Sequence, residues 1–440
     1  MFHGKTNRSC IRRLNLHPGL PSLLSGIKLR EVLYGRRGLY LLELMYTKTS
    51  ILTKIGLMYK PTLFSELLKL IPRNFVSEAA LEYHSDGLKN KFKTWHHLVS
   101  MLYVHFSGVN SLRTLEQSLG SYCSSLYHLG NISIKRATLS DANQTRNAGV
   151  FEQIFQKMLA LIPKRQIKRQ LGSLKILDST CINLKGRGSG WTQTNSTLRC
   201  HGLKVHVGIE HESSHLWFAE TSEANVNDVT VGKSIQIIPG DFYIMDKGYC
   251  DYNWWAQIHN DGAYFVTRLK QNAAYTVVSD NNQNHDLKDQ TIMLSNRSPR
   301  GGKKNECVGI PLRLIHVPHP SKPGRHLAVV TNAIHLSTDE IAECYKKRWA
   351  IELLFKFLKQ NVKLKKFIGE SKNAVLIQIY TALIAYVLLM LYQGLSRPKS
   401  TLFEVITFIK AHLMNLVERI LSPPKQTYVS RQKCMPFMGG

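Results

Sequence analysis

The sequence predicts an α/β protein: an all-helical N-terminal domain, then a strand-rich core with a β-rich insertion, closed by helices. Three observations carry this. Apolar residues recur at helical spacing between 63 and 125, as in Leu63, Leu67, Leu68 and Ile71, then Leu98, Met101, Leu102 and Phe106. From Leu174 the period shortens to that of strands, in KILDSTCINL, LKVHVGIE, LWFAETSE, FYIMDKG and AYFVTRLK. Helical patterning returns over Thr338–Lys363 and Ala374–Tyr392. A chain of 440 residues, 43% of them apolar, is long enough for two or three domains and a sizeable core.

Residues 1–57 form an atypical extension that mixes turn signals (His17-Pro18-Gly19, Pro21, Gly35, Gly38) with basic residues and a leucine patch at Leu39–Leu44. A fresh start at Met58 opens the helical domain, residues 58–165. There Gly108 and Asn110 break one helix and Ser111 has the side chain to cap the next. The core domain spans 166–400, with a short helix over Tyr252–His259 and the β-rich insertion at about 270–330. Residues 401–440 supply a C-terminal helix and a polar tail, disordered from Pro423. Ala374–Tyr392 is apolar over nearly the ~20 residues a bilayer requires. Because it follows a highly charged helix closely, it reads as a buried core helix with Gln378 and Thr381 satisfied inside, and no membrane is expected.

Lys and Arg total 58 against 30 Asp and Glu, a formal net charge of +28. So basic a globular chain suits a polyanion, nucleic acid foremost, because each neutralised phosphate releases counterions. Charge names a partner and not a reaction. The eight cysteines include no C-x-x-C pair, which fits reduced thiols in a cytoplasm. No secretory signal is legible. Cys200, His201, His206, His211 and His215 are split by strand alternation between two faces, which argues against a structural zinc.

Two aspartates stand on apolar strands, Asp178 in SLKILDSTCI and Asp246 at the end of FYIMD. A carboxylate on a buried strand is costly unless it is paired or binds metal. In the helix ECYKKRWAIELLFKFLKQ, Tyr345, Arg348, Glu352 and Lys359 fall within an arc of roughly 60° at 100° per residue. Such a stripe suits a DNA-facing helix, and equally a salt-bridged surface in which Arg348 pairs with Glu352. Phosphodiester transfer needs an activated nucleophile and a stabilised leaving oxygen, which two divalent ions ~3.5–4 Å apart supply. Mg²⁺ prefers carboxylate oxygen. The glycine-rich run KGRGSGW is by itself a weak phosphate signal, with Lys185 and Arg187 as candidate contacts.

The segment Tyr345-x2-Arg348-x3-Glu352-x6-Lys359 resembles the YREK signature of DDE transposases of the insertion sequence 4 family, and LDST at Asp178 and IMDKGY at Asp246 resemble that family's two aspartate motifs. Asp246 follows Asp178 by 68 residues and Glu352 follows Asp246 by 106, and the longer interval resembles the insertion such enzymes carry. The resemblance runs from about Pro61 to Tyr392. It implies an RNase H-like core. Asp178, Asp246 and Glu352 would be catalytic and hold two Mg²⁺ ions, with Mn²⁺ able to substitute. It further implies DNA contacts by Tyr345, Arg348 and Lys359, and by Lys204 and His206, which match a K-x-H pair. Where relatives carry His-Asp this chain has Asn227-Asp228, and no catalytic duty is assigned there. The expected function is a transposase of an insertion sequence, cleaving double-stranded DNA at the element's terminal inverted repeats and transferring strands to target DNA by cut-and-paste. It would act as a homodimer on DNA in the cytoplasm, at the bacterial nucleoid. The competing reading is a non-catalytic DNA-binding protein derived from a transposase.

Overall fold

The computed structural model describes residues 61–88, 91–122, 133–162, 172–184, 190–195, 200–213, 215–281, 288–298, 304–319, 323–364 and 366–421. The extension over 1–57, the boundary at 165, the loop with Lys185 and Arg187 and the tail from Pro423 lie outside the described residues.

The helical block comprises α1 (Leu63–Lys69), α2 (Arg73–Glu82), α3 (Thr94–Ser107), α4 (Leu112–Ser121), α5 (Arg136–Thr145) and α6 (Gly149–Leu159). Ser111 caps α4, its hydroxyl accepting the Thr114 N–H at 3.1 Å. Gly108 ends α3 at φ 80°, a left-handed conformation that suits glycine.

One ten-stranded sheet follows. Its centre has the order β4 (Leu216–Glu223), β3 (Cys200–Glu210), β1 (Leu174–Asn183), β5 (Phe242–Met245), β6 (Tyr264–Arg268). Strand β3 is antiparallel to both neighbours, whereas β1, β5 and β6 run parallel. This is the RNase H-like arrangement. The short β2 (Gln193–Asn195) also pairs with β3. The insertion strands β7 (Tyr275–Asp280), β8 (Asp289–Leu294), β9 (Leu312–Pro318) and β10 (His326–Thr331) prolong the sheet beyond β6, in the order β10-β9-β8-β7.

Alternation along the strands divides the apolar residues between two cores. Ile176, Val205, Val207, Ile244, Val266 and Val329 join a cluster that also holds the helical block. Leu177, Tyr243, Met245, Phe265 and Val330 face the other way, toward Trp254 and Trp255 of α8 (Tyr252–Asn260). The short α7 (Asp228–Gly232) contributes partly buried Val229 to that second side. The first side is covered by α9 (Thr338–Lys346), α10 (Trp349–Asn361) and α11 (Lys372–Ser396), followed by α12 (Leu402–His412) and α13 (Val417–Leu421).

The segment expected as one helix over Thr338–Lys363 is two. At the junction the N–H groups of Arg348, Ala350 and Ile351 bond to carbonyls only three residues back. Lys347 and Arg348 keep right-handed backbone angles, so the chain tightens by a 3₁₀-like turn instead of reversing. Each residue of such a turn rotates the face further than an α-helix does, so Tyr345 turns inward, 7% exposed, away from an open stripe shared with Glu352.

Helix α11 is long and apolar enough to cross a membrane, yet 94% of its most apolar window is buried inside the protein. Gln378 explains a polar residue there: its amide nitrogen donates to the carbonyls of Lys363 and Lys366 at 3.0 and 2.8 Å, and its oxygen accepts the Ile368 N–H at 3.0 Å. Thr381 is fully buried and donates to the Ile377 carbonyl at 2.8 Å. Helix α11 thereby shapes the loop that leaves α10.

Candidate active site

Strand parity sets the site. Ile176 faces α10, so Asp178 and Thr180 on the same strand face it too. Ile244 points to that side as well, so Asp246, the residue after β5, emerges on it. Glu352 lies in the first turn of α10. The Arg348 guanidinium joins the pieces: Nη1 donates to Asp178 Oδ2 at 3.1 Å and Nη2 to Glu352 Oε1 at 2.5 Å. The second carboxylate has its own cation, Arg268 Nη1 of β6, 3.8 Å from Asp246 Oδ1. Arg268 carries no motif signal, and only its place at the end of a core strand could have marked it.

Burial pushes the Asp178 carboxyl up to about 7; Arg348 and the Ser179 N–H pull it down, and Asp246 and Glu352 push it up further. The Ser179 N–H donates to Asp178 Oδ1 at 2.8 Å. The three carboxylates thus feel one another. Lys359, two turns beyond Glu352, reaches β1 and donates to Thr180 Oγ1 at 2.5 Å. Tyr345 lies beneath the site: its ring stands 5.9 Å from the Arg348 guanidinium carbon, and burial pushes its phenol up to about 12.

Lys204 and His206 are elsewhere. Val205 and Val207 of β3 fill the α10-side core, so their neighbours project to the opposite face. Both are buried, 2% and 1% exposed. Lys204 Nζ donates to Asp228 Oδ1 at 2.9 Å and to the Val226 carbonyl at 2.7 Å. His206 Nε2 pairs with the Ser222 hydroxyl at 2.8 Å, and burial lowers its imidazole to about 4. Strand alternation, which the K-x-H spacing does not fix, decides the face on which the pair stands.

Asp178, Asp246 and Glu352 offer only carboxylate oxygen, the donor that hard divalent cations prefer. A carboxyl pushed up by burial first, and then by two neighbouring like charges, is what a dication would relieve. The donor chemistry therefore fits. Among the described residues no three His, Cys, Asp or Glu side chains already converge as a ready cage, and Arg348 stands between Asp178 and Glu352.

Comparison with known proteins gives a match to the Transposase DDE domain over residues 169–388 and to a domain of unknown function (DUF4372) over residues 59–132. A protein of Sinorhizobium fredii named as transposase y4zB is 33% identical over 68% of this chain and 83% of its own length. A Synechocystis protein named as a transposase for insertion sequence element IS4SA is 28% identical over 64% of this chain and 79% of its own. A piggyBac transposase, solved as a synaptic complex with hairpin DNA, aligns over 82% of this chain and 81% of that one, with 10% identity and a TM-score of 0.44.

Proposed function

Since the chain belongs to the DDE transposase family and is a transposase of an insertion sequence, we propose that Asp178, Asp246 and Glu352 are the carboxylates with which it cleaves DNA at the element's ends. In this reading they hold two Mg²⁺ ions, for which Mn²⁺ substitutes, and the reaction is cut-and-paste transfer by a homodimer on the DNA. The bound ions would supply an activated nucleophile and charge for the leaving oxygen. The observation that carries the reading is the Arg348 bridge, which brings a strand carboxylate and a helix carboxylate, far apart in sequence, to one guanidinium.

The chain's own side chains then divide the labour. Asp178 and Asp246 are fixed by the sheet, and Glu352 by the first turn of α10. Arg348 joins Asp178 to Glu352 and would also grip a phosphate of bound DNA. Lys359 releases Thr180 for a second phosphate along the strand. Tyr345 is the aromatic floor that keeps the Arg348 fork in place. Lys204 and His206 take no part in DNA contact in this reading. The helical domain of residues 58–165 positions the DNA.

Paired gel-shift and nicking assays with Mg²⁺ on DNA carrying the element's ends test this. Glu352→Gln, Asp178→Asn and Asp246→Asn should each abolish cleavage while leaving end binding largely intact. Arg348→Ala and Lys359→Ala should weaken end binding or misplace the strand, with cleavage reduced in consequence. Normal cleavage by Glu352→Gln would overturn the assignment.

A further inference from the structure

We propose that Asp228 is a positioning residue for strand cleavage, holding the backbones of Asp178 and Asp246 at their working separation from the opposite face of the sheet. The inference rests on the reading of those two aspartates as metal-holding.

Asp228 opens α7, bonds to the neighbour of one carboxylate, and belongs to an element that lies against the turn after the other. Its Oδ1 accepts the Ser179 hydroxyl at 2.9 Å, and Ser179 is the residue after Asp178. Its Oδ2 lies where a β-carbon on Gly248 would stand only 3.0 Å away, and Gly248 is two residues beyond Asp246. The same Oδ1 accepts from Lys204 Nζ of β3 at 2.9 Å, and His206 Nδ1 is 3.9 Å off. One side chain therefore bonds to β1 and β3 beside the 3₁₀ turn Lys247–Tyr249.

Strand geometry explains how it acts at a distance. Consecutive residues of β1 point to opposite faces, so Asp178 faces α10 while Ser179 faces α7. A bond to Ser179 fixes the Asp178 backbone without entering the site. A side chain at Gly248 would push Asp228 or the turn after Asp246, which is why the closest-fitting residue stands there. The Lys204–Asp228 pair is nearly sealed, with side chains 3% and 19% exposed. Such a pair is a poor source of stability compared with apolar residues of the same volume. What it provides is a directional tie between two strands, set beside the turn after Asp246, and a misplacement of ~1 Å in a reacting constellation can cost about 100-fold in rate.

Three variants separate positioning from mere support. Ser179→Ala deletes one bond and strands no charge. Ser179→Thr keeps the hydroxyl. The double variant Lys204→Met with Asp228→Leu removes the buried pair together. Each is examined for thermal midpoint, end binding, cleavage, and Mn²⁺ uptake by the DNA-bound protein, followed by electron paramagnetic resonance. We expect Ser179→Ala and the double variant to melt near wild type and bind ends within about twofold of it. Cleavage should fall about tenfold or more, and the Mn²⁺ needed for half-occupancy should rise several-fold. Ser179→Thr should restore both. If Ser179→Ala melts, cleaves and takes up Mn²⁺ as wild type does, the inference is overturned; the Ser179 pair decides the matter even if the double variant does not fold. Asp178→Asn runs beside them. If it cleaves normally, the reading of the site fails and this inference with it; a dead Asp178→Asn beside a normal Ser179→Ala overturns this inference alone.

Discussion

Arg348 donates to Asp178 across 3.1 Å, and that contact links the turn between α9 and α10 to the core strand β1. It does not fully offset what burial does to the carboxyl, which stands at about 7 instead of near 4. A carboxyl held so far above its ordinary range, in contact with an arginine, is costly to keep charged.

The first expectation follows from that shift, in the metal-free protein. Asp178 binds its proton more tightly folded than unfolded. Its contribution to stability is fully present below about pH 4 and lost as the pH rises through about 7. Asp178→Asn, neutral throughout, should therefore be more stable than wild type at pH 8, by on the order of 1–3 kcal/mol, and about equal to it near pH 3. Thermal unfolding in a chelator checks this, and a variant less stable at pH 8 would contradict it.

Two buried histidines give the opposite slope. Burial lowers His97 and His105 to about 3. His97 Nε2 donates to Asn143 Oδ1 at 2.8 Å, and His105 Nδ1 donates to the Val362 carbonyl at 2.9 Å. Unfolded, each takes its proton near 6.5, so stability is full above that and is lost as the pH falls toward 3. The loss should approach ~1.4 kcal/mol per pH unit for each histidine. His105→Asn keeps a donor near Nδ1 and does not titrate, so its stability should fall less steeply between pH 6 and 4. An unchanged acid slope in urea unfolding would refute the assignment.

DNA binding should weaken steeply with salt. A net charge of +28 implies many phosphate contacts, each adding about −0.9 to the slope of log K against log salt. Arg348→Ala and Lys359→Ala should each flatten the slope by about one contact. A flat response in the wild type would mean that the charge serves another purpose.

How much of this was legible depended on whether one period or two governed a residue. The core strands were readable because Ile176, Ile244 and Val266 alternate cleanly with residues of the other face. Asp178, Asp246 and Glu352 were singled out by polar residues in apolar strands and by motif spacing. The break at Lys347–Arg348 was not legible, because both residues keep helical angles and no Gly or Pro marks them. Lys204 and His206 were legible as a pair, but their face depends on the register of β3 against β1, which pairs His206 with Ser179. Asp228 was read and set aside. Its partners Ser179 and Lys204 lie on strands β1 and β3, contacts that no local pattern encodes.

The last expectation concerns how the insertion reaches the helix that carries Tyr345. Arg313 of β9 grips Asp289 of β8 with two nitrogens, Nε at 2.9 Å and Nη2 at 2.6 Å. It also donates to the carbonyls of Ile334 and Leu336, and Nη2 lies 3.3 Å from the Thr338 hydroxyl. Thr338, the first residue of α9, donates in turn to Asp289. The insertion thereby clamps the start of α9 through one buried ion pair, with side chains 16% and 7% exposed. Arg313→Met would leave Asp289 charged and unpaired, a loss of about 3–5 kcal/mol. Arg313→Lys keeps the charge but cannot make the paired contact and reach the carbonyls, so it should lose an intermediate amount. Adding Asp289→Asn to Arg313→Met should recover most of the stability, because the stranded charge is gone. If the double variant also cleaves normally, the clamp serves only folding; if it folds but cleaves poorly, the insertion sets the placement of α9 and, through the Lys347–Arg348 turn, of Glu352. Urea unfolding and the nicking assay on the same three proteins distinguish the two, and an Arg313→Met protein as stable as wild type would remove the clamp altogether.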